Sequence, residues 1–363
     1  MRVLWLFGPP CVGKSVTAWE LLDLLCENDE ATCYVDIDQL GMADPVSDDE
    51  AEAHRSKTWA LAAISRVHAQ RGTTTLVVSG VLDPHQIEFT RRALADHDLA
   101  LIRLAADEPV IQQRMDARGP YGEDWCGVRL DVRKHEAAAL DLPVVRTDRS
   151  SPAAVARRVL DVAAILPAAA SRADEPHPTA AAALGRAALI TGSRVVGKST
   201  SGWLTFVLAR DQNIPTAFVD LRQLGFRGRA GGPLDHELQA AAVGALWRVF
   251  RARGNRLLVL NGTTDDPTQA ATYAALLDGT PLTSIRLTAD RTALAARALA
   301  RARGEMAPLA GDDLVGADDA YLRQIVGGAI AAQEAWRSSG GLVIDTTSLT
   351  PSSTARRILD DAT

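Results

Sequence analysis

Short apolar runs rich in Val, Leu, Ile and aromatic residues alternate along this chain with longer stretches whose apolar positions recur at helical spacing. In the first half the short runs are Val3–Phe7, Cys33–Ile37, Thr75–Ser79, Ala100–Leu104 and Val144–Arg146. In the second they are Ala188–Thr191, Ala217–Leu221, Leu257–Leu260, Ser284–Leu287 and Leu342–Ile344. Strands separated by helix-length patterns predict an α/β architecture, with a parallel sheet of five strands in each half and helices on both faces. Right-handed crossovers would set the carboxyl ends of these strands along one edge, where such sheets bind ligands.

The two sets of runs also repeat in sequence. Leu4–Ser15 (LWLFGPPCVGKS) lies over Ala188–Ser199 (ALITGSRVVGKS), and Tyr34–Met42 (YVDIDQLGM) over Phe218–Phe226 (FVDLRQLGF), both at an offset of 184. LVVSG at 76–80 matches LVLNG at 258–262, and IRLAAD at 102–107 matches IRLTAD at 285–290. The tails ARRVL and ARRIL match at an offset of 199, so the second half carries about sixteen additional residues before its last strand. Five matches in one order indicate a tandem duplication. The expected domains are residues 1–165 and 186–363, joined by the Ala- and Pro-rich stretch 166–185, which reads as a linker.

Composition narrows the function classes. With 363 residues, 47% hydrophobic and 23% charged, the chain reads as a globular protein large enough for two cores. A net charge of −6 without a basic block argues against a nucleic-acid or anionic-membrane surface, so neither partner is expected. No apolar run has the ~20 residues of a membrane helix. Four cysteines without paired spacing favour a reduced, cytoplasmic protein. Lysine is scarce: among 39 Lys and Arg only Lys14, Lys57, Lys134 and Lys198 are Lys, and two of these sit in Val-Gly-Lys-Ser.

Those two lysines belong to Gly8–Ser15 and Gly192–Ser199, which both fit G-x-x-x-x-G-K-[ST] between a strand and a helical pattern. The glycines let successive backbone N–H groups converge on phosphate, with a helix N-terminus behind them. Lys14 and Lys198 would reach the β- and γ-phosphates of ATP, and the Ser15 and Ser199 hydroxyls would ligate Mg²⁺. Gly8, Gly13, Lys14, Ser15 and Val16 are therefore candidate nucleotide-binding residues, as are Gly192, Gly197, Lys198, Ser199 and Thr200. Cys11 inside the first loop is ordinary loop variation, and the histidines form no metal or triad pattern.

With these loops, acidic second strands, third strands ending in Gly and an Arg-bearing stretch after the fourth, each half resembles the small-molecule P-loop kinases, the group containing shikimate kinase, gluconate kinase, adenylylsulfate kinase and chloramphenicol phosphotransferase. The resemblance implies two nucleoside-kinase-like P-loop domains that pair within the chain. By it, Asp36 and Asp220 would support Mg²⁺, and Asp38 would orient or deprotonate an acceptor hydroxyl. The two carboxylates of Asp36-Ile-Asp38 would share one face of a strand. The second half reads Asp220-Leu-Arg222, and a guanidinium cannot act as a base. Arg55 and Lys57 would face an anionic acceptor, where the second half has Glu237 and Gln239. Arg114 and Arg118, with Arg297 and Arg301, would stabilise the transferring phosphoryl group. The loops Thr147–Pro152 and Thr346–Pro351 would lie against adenine.

Neither third strand ends in the Asp-Glu of motor ATPases, which favours phosphoryl transfer over mechanical work. The expected function is an ATP–Mg²⁺-dependent phosphotransferase acting on a hydroxyl of a small, anionic molecule, with chemistry in the first half and a nucleotide-binding, pseudo-kinase second half. The alternative is an ATP-binding sensor module with only slow hydrolysis.

Overall fold

A computed structural model describes residues 1–28, 31–44, 50–117, 132, 141–166, 185–227, 235–262, 269–305, 313–337 and 341–363. Nearly all of the expected linker, together with Arg118 and Lys134, lies outside the described residues. Twelve strands occur among the described residues: β1 (Arg2–Phe7), β2 (Thr32–Asp36), β3 (Met42–Ala43), β4 (Thr75–Ser79), β5 (Asp98–Ala105), β6 (Val144–Arg146), β7 (Arg186–Gly192), β8 (Thr216–Asp220), β9 (Phe226–Arg227), β10 (Leu257–Asn261), β11 (Leu282–Thr288) and β12 (Leu342–Asp345).

They form two sheets, ordered β6-β5-β1-β4-β2-β9 and β12-β11-β7-β10-β8-β3. In each, the five expected strands are parallel. The strand that leads into the phosphate loop, β1 or β7, is buried between two neighbours. Strands in such positions are covered on both faces, which is why Val3–Phe7 and Ala187–Ile190 are almost continuously apolar.

Helices α1 (Lys14–Glu27), α2 (Glu50–Gln70), α3 (Ile87–Ala93) and α4 (Glu108–Asp116) connect the first sheet, followed by the helix Pro152–Ile165. α1 buries Ala18, Leu21, Leu22 and Leu25, a spacing of three and four residues that puts one stripe on the core. The helix Lys198–Asp211 stands at the same place after β7, and His236–Ala252 corresponds to α2. No helix among the described residues is long and apolar enough to cross a membrane.

The sixth strand of each sheet was not anticipated. The chain forms two compact units, one of Met1–Leu40, Ser47–His177 and Gly225–Gly232, the other of Gly41–Val46, Pro178–Leu224 and Pro233–Thr363. In the first, β9 pairs antiparallel with β2 through Tyr34↔Phe226 and Cys33↔Arg227. In the second, β3 pairs antiparallel with β8 through Phe218↔Met42 and Ala217↔Ala43. Shifting either set of pairs by 184 residues gives the other, so equivalent arms are exchanged between the two halves of the sequence.

Each arm is anchored by packing as well as by pairing. Phe226 sits in the first core, edge-on to Trp19 at 4.7 Å between centroids and stacked on Tyr34 at 5.9 Å. Gly225 enters this arm at φ +148°, and a Cβ there would lie 2.5 Å from the buried His68 ring.

Candidate nucleotide and acceptor sites

Sheet register assembles the polar end of each half. Asp36, the last residue of β2, lies beside Ser79, the last of β4, and Ser79 lies beside Leu6 just before the first loop. Asp220, Asn261 and Ile190 take the same places in the second sheet. The loops are alike in backbone: Gly13 and Gly197 cap the following helices at φ 103° and 102°, and Cys11 and Val195 adopt φ 59° and 56°. A β-branched residue at positive φ is a local strain that the surrounding loop must hold in place.

The loop lysines lie across the loop mouths. Lys14 Nζ donates to the carbonyls of Gly8 and Pro9 at 2.9 and 2.8 Å, and Lys198 Nζ to those of Gly192 and Ser193 at 2.8 and 2.7 Å. Burial pushes the Lys198 ammonium down to about 7; Asp220 opposes this shift, while Arg194, Arg301 and Arg222 add to it. Cations crowd this loop more densely than carboxylates, which is an environment prepared for a polyanion.

Magnesium with phosphate needs only one or two protein oxygens, because waters and phosphate supply the others. Ser15 Oγ is 3.4 Å from Asp36 Oδ2, and Ser199 Oγ is 3.5 Å from Asp220 Oδ2. Burial raises both carboxyls, with Asp38 adding to the rise at Asp36; a dication would offset this cost. The Asn261 amide donates to Asp220 Oδ2 at 2.6 Å and Ser199 Oγ at 3.2 Å, leaving its buried Oδ1 without a partner. That orphaned acceptor could accept a hydrogen bond from a water held by the metal. The residues at both loops thus fit the group.

The first half reaches the same end by different chemistry. Ser79 replaces Asn261, and its hydroxyl contacts the buried Tyr34 hydroxyl at 2.9 Å and Asp36 Oδ2 at 3.4 Å. Phe218 stands where Tyr34 does, so a lost phenol accompanies the longer amide. Such compensation at two neighbouring positions is invisible when strands are read one at a time.

The sequence placed Asp36 and Asp38 on one strand face, and the structure does not. The strand ends at Asp36, whose carboxylate accepts from the Asp38 backbone N–H at 3.0 Å and caps a 3₁₀ turn over Ile37–Gln39. This turn still brings the carboxylates together. Gly80 makes room for it: at φ +144°, a Cβ would meet Ile37 at 2.1 Å and Asp38 Oδ2 at 3.4 Å. From α2, Lys57 Nζ pairs with Asp38 Oδ1 at 2.5 Å. Arg55 donates from Nε to Gln86 at 3.3 Å and stacks over Phe89.

The corresponding region of the second half is differently occupied. Tyr273, fully buried, donates to Gln239 at 3.1 Å and contacts His236 at 3.0 Å. Arg222 replaces Asp38, with its backbone N–H on Asp220 at 3.0 Å.

Arg114 and Arg297 are placed identically. Arg114 donates from Nη1 to the Val12 carbonyl and the Thr147 hydroxyl, and from Nη2 to the Thr147 carbonyl, at 2.9–3.0 Å. Arg297 does the same with Val196 and Thr346 at 2.7–3.0 Å. Each ties a phosphate loop to the segment after the last strand. In the second half a cavity of about 210 Å³ lies here, lined by Lys198, Ser199, Thr200, Arg297, Arg301 and Leu349 among others. The sequence singled out the loops that begin at Thr147 and Thr346, but not these threonines as the arginines' anchors.

Residues 3–143 match a family model described as AAA domain. No curated protein matches the chain. Among solved structures, a gluconokinase from Sinorhizobium meliloti is 17% identical with a TM-score of 0.34, over 45% of this chain and 91% of that one. A shikimate kinase from Bacteroides thetaiotaomicron is 15% identical with a TM-score of 0.32, over 48% and 97%. The Pnkp1/Rnl/Hen1 RNA repair complex contains a chain 12% identical with a TM-score of 0.31, over 84% and 93%. Residues 3–143, which carry the first phosphate loop, thus match the AAA domain family model.

Proposed function

We propose that the protein is an ATP- and Mg²⁺-dependent phosphotransferase acting on a hydroxyl of a small molecule, with the reaction in the first half of a duplicated chain. One contrast carries this reading: Asp38 stands beside Asp36 and is held by Lys57, whereas Arg222 and the Tyr273–Gln239–His236 network occupy the matching places. Just past the acidic strand end, the first half has a carboxylate, Asp38, that can accept a hydroxyl proton, where the second half has Arg222.

In this mechanism Lys14 and the loop N–H groups bind the phosphates, and Ser15 and Asp36 would hold Mg²⁺. The metal would neutralise phosphate charge. Asp38 Oδ accepts a hydrogen bond from the acceptor hydroxyl and takes its proton as the acceptor oxygen bonds to the γ-phosphorus. The bond from that phosphorus to the β–γ bridging oxygen breaks, and ADP leaves with the electron pair. Lys57 orients the Asp38 carboxylate, and with Arg55 it supplies positive charge for an anionic acceptor. The second half binds nucleotide without an acceptor of its own.

The test is ADP formation from Mg-ATP across small hydroxyl compounds bearing a carboxylate, a phosphate or no charge. Asp38→Asn is expected to lower the acceptor-dependent rate by about 10²- to 10⁴-fold while ATP still binds. An unchanged acceptor-dependent rate would remove Asp38 from the mechanism.

A further inference from the structure

The second loop contains a cation that the first lacks. Arg194 is its third residue, where the first loop has Pro10. It directly follows Ser193, whose carbonyl accepts from Lys198 Nζ at 2.7 Å. The Arg194 guanidinium is turned onto a carboxylate, with Nη2 2.5 Å from Asp313 Oδ1. The second oxygen of Asp313 accepts from the Tyr321 hydroxyl, also at 2.5 Å. Tyr321 is fixed in turn, because the helix Asp319–Ala335 starts at an Asp318 cap that accepts from the Tyr321 N–H at 2.8 Å.

Two buried polar atoms of this site are without hydrogen-bond partners: Ser193 Oγ, in the residue whose carbonyl holds Lys198, and Asn261 Oδ1, whose amide is bonded to Ser199 and Asp220. Buried polar groups normally find partners, so two orphans among the residues of one phosphate loop and its neighbouring strand end point to a ligand there. Charge agrees with this: Arg194, Arg301 and Arg222 all act on Lys198, with Asp220 opposing them and Asp313 paired to Arg194. A guanidinium one residue from the lysine's carbonyl anchor is well placed for the far end of a polyphosphate, and it binds phosphate oxygens better than an isolated carboxylate.

We propose that Arg194 is the residue by which the second loop distinguishes a nucleoside triphosphate from a diphosphate, and that Asp313, braced by Tyr321, is the anion that the terminal phosphate displaces. This rests on the reading that the second loop binds nucleotide. It goes further by giving that site a preference and an internal competitor. Arg194 exchanges one charge-assisted pair for another, and the released Asp313 and Tyr321 make the nucleotide state of this half readable at the start of the helix Asp319–Ala335.

The experiment measures equilibrium binding of Mg-ATP and Mg-ADP to the full-length Lys14→Ala protein, in which the first loop is silenced. Arg194→Ala, with Arg194→Gln as a second variant, is expected to weaken ATP by about tenfold and leave ADP within about twofold. Asp313→Asn is expected to do the opposite and tighten ATP, because the competing charge is gone. A merely structural ion pair predicts that both substitutions weaken both nucleotides, and that result would overturn the proposal. So would a Lys14→Ala protein that binds no nucleotide. The latter leaves the Asp38 test of the first half intact, so the two readings can fail separately.

Discussion

Arg114 places three hydrogen bonds from one guanidinium on the Val12 carbonyl and on the carbonyl and hydroxyl of Thr147, while Thr147 itself donates to Val12 at 2.8 Å. Two adjacent nitrogens thus hold the strained loop against the segment that follows β6. Truncation to Ala would remove all three bonds, leaving the Val12 carbonyl with the Thr147 hydroxyl alone and the Thr147 carbonyl without this donor, at a cost of about 2–3 kcal/mol. Lysine would not restore them, since an ammonium on a flexible stem lacks the planar fork. Thermal unfolding and ATP binding are therefore expected to suffer alike in Arg114→Ala and Arg114→Lys, and full rescue by Lys would show that only charge matters. The sequence pointed to Arg114 and Arg297 by order after the fourth strand. It could not show where they reach, because the Thr147 partner is 33 residues away and a long side chain has several destinations.

At the scale of elements, the five parallel strands of each half were legible because buried strands are written as continuous apolar runs bounded by turns. Site positions at their ends followed from the same runs. The 3₁₀ turn at Asp38 was not legible, since a strand and a tight turn both bring residues i and i+2 near one another. The exchanged arms were hidden for a different reason. A strand of two residues has no period, and the partners of Phe226 and Arg227 lie in the other half of the sequence. The arm makes its own prediction. Gly225→Ala must place a Cβ 2.5 Å from the His68 ring at an unfavourable φ, which costs about 2–4 kcal/mol. Gly328→Ala, on an open helix position, is expected to stabilise by ~0.5–1 kcal/mol. Equal unfolding temperatures for the two variants would contradict the arm's position.

Across the whole molecule, the halves share strand order, loop geometry and an Arg–Thr brace, yet differ at each residue an acceptor would touch. The first has Asp38, Lys57 and Arg55; the second has Arg222, Gln239 and Glu237 in those places, with Arg194 added to its loop. On the proposed reading, both halves keep phosphate binding and only the first keeps acceptor chemistry. The most direct measurement of that division compares Lys14→Ala with Lys198→Ala in acceptor-dependent ADP formation at saturating Mg-ATP. Lys14→Ala is predicted to lower the rate by about 10³-fold or more, with Lys198→Ala retaining most of it. Loss of turnover in Lys198→Ala together with its retention in Lys14→Ala would contradict the assignment of chemistry to the first half.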